Sequence, residues 1–170
     1  MDEQAPTSGI SIASGRVLPE WIDFNGHMNV AYYVLAFDLG VDELWKQIGI
    51  TREYIETEKC STFAAEAHIT YQRELKEDDP FIVNSQILAY DEKRIHQFQY
   101  MYHTEEKFLA ATGEWMNLHV DLSSRRVTPF PETVLSALQE YTQSQGVLAR
   151  PAEACRTMRV RKPIYVGVEK

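Results

Sequence analysis

Residues 30–48 constrain the fold more than any other stretch of the chain. Val30, Val34, Phe37, Val41, Leu44, Trp45 and Ile48 recur at helical spacing, and Ala31, Tyr32, Leu35 and Ala36 make the other faces of the first half apolar as well. A helix apolar nearly all round has to be buried rather than laid on a surface. Gly49 is placed to end it. Whatever buries this helix must come from the remaining chain, which reads mainly as strand. Residues 10–17 alternate loosely up to Pro19, and residues 61–72 put Phe63, Ala65, Ala67, Ile69 and Tyr71 on one face. Residues 81–90, 94–103 and 108–120 follow, separated by turns short enough for an antiparallel meander. Residues 133–141 read as a short closing helix. The expected architecture is α+β, an antiparallel sheet wrapped around one long central helix. Such a sheet leaves edges unpaired, which predicts a homodimer built through an edge strand, with a tetramer of such dimers left open. Residues 1–9 are expected to be disordered and residues 10–144 to form the domain. Residues 145–170 are a tail carrying Arg150, Arg156, Arg159, Arg161 and Lys162, whose structure the sequence leaves open.

Directly before the helix stands Trp21-Ile22-Asp23-Phe24-Asn25-Gly26-His27-Met28-Asn29. A helix start exposes unpaired backbone N–H groups and the positive end of the dipole. A carboxylate there can act on an electrophile whose oxygen those N–H groups hold, which is the minimal kit for attacking an acyl carbonyl. The same residues also make an ordinary turn with a helix cap. Aromatic and sulfur side chains crowd around the acid, which a plain turn does not require.

Charge and cysteine usage narrow the function classes. The net charge of −8 over 170 residues argues against a general nucleic-acid binder. No run reaches the length of a membrane span, and the acidic N-terminus does not resemble a signal peptide. The two cysteines, Cys60 and Cys155, form no metal or disulfide framework, so a reducing cytoplasm is the expected compartment. His68, His96, His103 and His119 show no recognised metal-ligand spacing, and no Gly-rich phosphate loop is present. The expectation is an activity without metal or cofactor.

The element order, with Asp23-Phe24-Asn25-Gly26-His27-Met28-Asn29 opening the central helix, resembles the hotdog-fold acyl-CoA thioesterases related to 4-hydroxybenzoyl-CoA thioesterase. The resemblance spans about residues 15–138. The family pattern is commonly Asp-x-Asp-x-x-Gly-His-x-Asn, and Asp23 falls on its second, catalytic acid. Trp21 stands where the first acid would be, which implies a changed pocket entrance. More narrowly, residues 17–28, Asp91-Glu92-Lys93-Arg94-Ile95-His96 and the stretch 111–121 resemble the betainyl-CoA thioesterases of bacterial carnitine degradation.

The resemblance implies that Asp23 either attacks the thioester directly or activates a water, with oxyanion donors among the backbone N–H groups near His27 and Met28. His27 either packs and hydrogen-bonds at the helix start or moves a proton. Asn29 either caps the helix or positions water. The aromatic residues Trp21, Phe24, Tyr32, Tyr33, Tyr71 and Trp115 would host a trimethylammonium group, which offers no conventional hydrogen bond. Glu66 is expected to face solvent, and would be a second acid or cation partner if it faced the pocket. Lys93, Arg94, Arg125 and Arg126 are the candidates to hold coenzyme A. A homodimer would place the pocket at the subunit interface. Two rival readings share the fold: a non-catalytic acyl-CoA sensor, which needs no carboxylate at the helix start, and a hydratase, which needs a different Asp and His arrangement.

Overall fold

The computed structural model describes residues 9–158. Most of the segment expected to be disordered, and Arg159, Arg161 and Lys162 of the tail, lie outside the described residues. The described chain runs β1 (Ile10–Arg16), a single 3-10 turn (Pro19–Trp21), α1 (Val30–Gln47), α2 (Arg52–Glu58), β2 (Cys60–Tyr71), β3 (Pro80–Tyr90), β4 (Arg94–His103), β5 (Leu109–Asp121), β6 (Arg126–Val127) and α3 (Glu132–Gln145). The strands form one antiparallel sheet in the order β1-β3-β4-β5-β2, with β6 beside β5. The expected meander is β3-β4-β5, and β2 returns to pair with β5 at the far edge.

The sheet curls around α1. Tyr33, Ala36, Phe37, Gly40, Leu44 and Trp45 of the helix are buried, packing with Ile12, Val83, Ile87, Ile95, Met101 and Ala111 from the strands. The helix is less enclosed than its sequence suggests. Val30, Val34, Leu35 and Leu39 remain exposed in the single chain, because a sheet of this width covers one side of α1 and leaves the other open. Asn29 caps the helix, its side-chain oxygen accepting from the Ala31 N–H at 3.0 Å.

A bulge redirects β2. Ala64 pairs with Asn117 and Glu66 with Met116, so Ala65 is an extra residue without an opposite number. Phe63 therefore pairs with Leu118 while Ala67 pairs with Trp115, and those two β5 residues point to opposite faces. The single-face reading of Phe63 with Ala67, Ile69 and Tyr71 fails for this reason. Ala67, Ile69 and Tyr71 share the concave face with α1, and Phe63, Glu66 and His68 lie on the convex face.

Three elements have no counterpart in the sequence reading: the 3-10 turn, the short α2 capped by Thr51, and the two-residue β6. Helix α3 runs longer than expected, because Gln145 in its last turn accepts from the Ile87 N–H at 2.7 Å and donates to the Ile87 carbonyl at 3.0 Å. Beyond α3 the chain crosses the convex face. Ala154 packs against a second cluster there, made by Phe98, Tyr100 and Tyr102 of β4.

Candidate active site

The stretch 21–29 is a tight, internally bonded loop. The Asp23 N–H donates to the His27 carbonyl at 3.1 Å and the Gly26 N–H to the Asp23 carbonyl at 2.9 Å. Gly26 takes φ 80°, a conformation that disfavours side chains. The half-buried Asp23 carboxylate accepts from the Asn25 N–H at 2.8 Å, and Asn29 Nδ2 lies 3.4 Å from its other oxygen. The Asn29 N–H is bound to the Trp21 carbonyl at 2.9 Å. Capping and carboxylate contact are thus both performed by Asn29, so its two sequence-level readings coexist in one side chain.

Of the two residues around which the sequence placed the oxyanion donors, Met28 has its N–H already engaged. The Met28 N–H donates to the Leu75 carbonyl at 2.8 Å, and Met28 itself is buried. That N–H is spent on holding the loop. Among the described residues the His27 and Val30 N–H groups have no acceptor; His27 lies in the loop closed by its bond with Asp23, and Val30 opens α1. His27 rests its Nδ1 3.4 Å from the Met28 carbonyl and its Nε2 4.0 Å from Glu74.

The connection 72–79 was missed entirely by sequence reasoning. Leu75 is fully buried, its carbonyl accepts from Met28, and its N–H donates to the Tyr33 hydroxyl at 3.0 Å. It latches the acidic loop to α1. The only sequence signal is a lone leucine in the polar run Gln72-Arg73-Glu74-Leu75-Lys76-Glu77-Asp78-Asp79.

The aromatic candidates divide by environment. Trp21 stacks on Tyr32, with ring centroids 5.4 Å apart and planes at 11°. Tyr71 is half-exposed at the mouth of the loop, its hydroxyl 3.5 Å from the Val30 carbonyl, and meets the Tyr33 ring edge-on at 5.3 Å. Burial raises the pKa of the Tyr71 hydroxyl. Tyr33 is 3% exposed, and burial, ahead of an opposing hydrogen bond from Leu75, raises its hydroxyl as well. Its hydroxyl is part of the latch rather than of an open pocket. Phe24 stands at the loop tip, 98% exposed. Trp115 lies on the concave face over Gly113, where a side-chain carbon would come within 2.8 Å of the indole nitrogen. Glu66 is exposed on the convex face and does not join Asp23.

The basic candidates gather at the other end of the sheet. Arg94, Leu118 and Phe63 form one cross-strand row, and the Arg125 guanidinium sits 4.9 Å over the Phe63 ring. Arg126 opens β6, and Lys93 lies in the turn before β4 beside Glu92. Tyr71 marks the Asp23 end of β2 and Phe63 the basic end, roughly 25 Å apart along the strand. Among the histidines, His119 is buried with both nitrogens bound, to Tyr54 and to the Thr128 carbonyl, and His103 accepts from the Glu105 and Glu106 N–H groups. Both serve the fold.

Comparison with known proteins places this geometry. The model of the thioesterase-like superfamily matches residues 17–138, which include the acidic loop, α1 and all of β2 to β5. The chain belongs to the thioesterase-like superfamily. A betainyl-CoA thioesterase of Pseudomonas aeruginosa is 34% identical over 135 residues, covering 79% of this chain and 85% of that one. An L-carnitine dehydrogenase/betainyl-CoA thioesterase of a Rhizobium species is 32% identical over 147 residues. That match covers 86% of this thioesterase but only 29% of the relative, so the chain spans less than a third of that protein's length. In structure, this thioesterase is similar to a hypothetical protein of Staphylococcus aureus in complex with CoA. The TM-score is 0.84 and the identity 29%, over 89% of this chain and 96% of that chain. The fold is the hotdog arrangement of a curled antiparallel sheet around a helix. The thioesterase is thus a thioester hydrolase of the acyl-CoA class. Among its described residues no helix is long and apolar enough to cross a membrane.

Proposed function

We propose that this thioesterase hydrolyses betainyl-CoA to betaine and free CoA, in the cytoplasm, as a homodimer. The observation that carries the reading is the Asp23 carboxylate, held by Asn25 and Asn29 in the loop before α1, where the His27 and Val30 N–H groups are unengaged. The substrate carbonyl oxygen docks on the His27 and Val30 N–H groups, where the helix dipole stabilises the developing negative charge. Asp23 then either adds to the carbonyl carbon, giving a mixed anhydride that water opens, or takes a proton from the attacking water. In both routes the C–S bond breaks and the CoA thiolate leaves with the electron pair. Single turnover in 18O-water separates them, because only the anhydride route can leave label in Asp23.

The acyl group is assigned from the likeness to the betainyl-CoA thioesterases and from the rings at the loop. Trp21, Tyr32 and Tyr71 offer faces and edges to a quaternary ammonium, each well-placed ring contributing about 0.5–2 kcal/mol. The dimer is assigned from β2. Among the described residues its outer edge is long and unpaired, and Phe63, Ala64, Ala65, Glu66 and Ala67 are exposed along it. Antiparallel pairing of two β2 edges sets the Phe63 end of one chain against the Tyr71 end of the other. Lys93, Arg94, Arg125 and Arg126 of one chain then come alongside Asp23 of its mate, where they can hold the CoA phosphates.

A thiol-release assay over a panel of acyl-CoAs tests the assignment. Betainyl-CoA should show the highest kcat/KM. Higher values for medium-chain, long-chain or aromatic acyl-CoAs would remove the betaine assignment and leave the thioesterase. An active monomer by light scattering at assay concentration would remove the dimer.

A further inference from the structure

The convex face carries a side-chain cluster that thioester hydrolysis does not use. His96 of β4 and Glu114 of β5 project on that face, with Nε2 and Oε1 2.7 Å apart. The segment after α3 brings Cys155 over them, its Sγ 3.5 Å from Glu114 Oε1 and its N–H 2.9 Å from Glu114 Oε2. The three donor atoms all lie within 4.8 Å of one another. His68 of β2 pairs directly across from Glu114 on the same face. Together with Glu66, Met116 and Arg156 it lines the same cavity of about 530 Å³.

We propose that His96, Glu114, Cys155 and His68 form a binding site for a divalent zinc-class ion. The donor set is one thiolate, two imidazoles and one carboxylate, which selects zinc-like ions over the all-oxygen preference of magnesium or calcium. Tetrahedral zinc with bonds of about 2.0–2.3 Å holds its donors about 3.5 Å apart, so the three donors need shift only slightly to close on an ion that displaces the Arg150 guanidinium, 2.9 Å from Cys155 Sγ. The ion takes the His96 Nε2 position that faces Glu114, the ring keeping its N–H on Nδ1, and binding releases the thiol proton of Cys155. Pairing two β2 edges would use backbone groups and leave these face-directed side chains in place. With His68 turned in from the cavity wall as the fourth donor the site is closed, which makes its role structural. It staples the segment around Cys155 to three strands of the sheet.

The test uses the full chain, stripped with a chelator in reducing buffer. Zn2+ titrated against a chromophoric chelator should bind one ion per chain and raise the melting temperature. Co2+ should give tetrahedral visible bands and a sulfur-to-cobalt charge-transfer band in the near ultraviolet. C155S should lose the charge-transfer band, and His96→Gln should weaken Zn2+ binding about 100-fold. D23N, far from the site, should bind Zn2+ as the parent does. Cys155 is exposed, so its serine variant should fold even if His96→Gln does not. The proposal fails if Zn2+ does not bind, if Co2+ shows no sulfur charge transfer, or if C155S and the parent bind Zn2+ equally. A Glu114 that only pins the tail would give the first of these outcomes.

Discussion

The two ends of the β2 edge are built on different principles. At the Tyr71 end, the proposed catalytic site is assembled from backbone: a bonded loop, a latched leucine and the first N–H groups of a helix, with one carboxylate among them. At the Phe63 end stand the exposed cations proposed to hold CoA, with Arg94 paired to Asp91 and Arg125 lying over a ring. The first end is rigid and suits bond breaking, which tolerates little misplacement. The second is solvated and adjustable, and suits holding flexible phosphates. In the proposed dimer the two ends come together across the interface, which their separation within one chain would otherwise prevent.

The most direct way to break this division is at Asp23. D23N should keep its fold and dimer but lose about 10²–10⁴-fold in kcat, read by thiol release. Near-parental turnover would move the chemistry elsewhere. At the other end, Arg125→Ala should raise KM about tenfold, equivalent to about 1.4 kcal/mol, with kcat nearly unchanged. A fall in kcat alone would mean that the two ends are not functionally distinct. Mixing unfolded D23N and Arg125→Ala chains and refolding them sharpens the comparison. If the ends act across the interface, mixed dimers carry one intact site. About a quarter of all sites are then restored, and activity below KM exceeds the mean of the two parents. Sites built within one chain would give only that mean.

Smaller effects probe the rigidity of the acidic end and the looseness of the basic one. Tyr33→Phe leaves the buried Leu75 N–H without its acceptor and should cost about 1–3 kcal/mol in chemical denaturation. The smallest effect is expected at Asp91. The hydrogen bond from the Lys93 N–H comes first among the causes, and with that from Arg94 and the nearby cations it outweighs burial to hold the carboxyl below its ordinary 3.8. A depressed acid contributes stability above its unfolded value and loses it as pH falls through the lower folded one. Acid titration should therefore loosen the Lys93–Arg94 turn only below the ordinary carboxylate range, as a late chemical-shift transition that Asp91→Asn abolishes.

The sequence revealed most of what depends on periodicity. Helix α1, strands β3 to β5 and the acidic loop all stand where spacing and punctuation put them. What it concealed depends on which residues become neighbours. The Ala65 bulge exists only in the pairing with β5, so alternation along 61–72 put Phe63 on the wrong face. The occupation of the Met28 N–H depends on Leu75, which local pattern cannot connect to it. His96, Glu114 and Cys155 meet by cross-strand register and by the path of the tail, and their spacing in the chain carries no trace of it. Helix α2 is a single short element with no apolar stripe to announce it.

The strand order also has a consequence during synthesis. Among the described residues β2 pairs only with β5, so there residues 60–71 have no strand partner until 111–121 have left the ribosome. At ordinary elongation rates that interval is on the order of seconds. Through it, a twelve-residue strand with Phe63, Ile69 and Tyr71 waits with both edges open. Neighbouring nascent chains on one message carry the same strand in the same state, so this is the moment of greatest exposure to aggregation. Glu66 and His68 interrupt the apolar run at its middle, and charge there guards the strand while it waits.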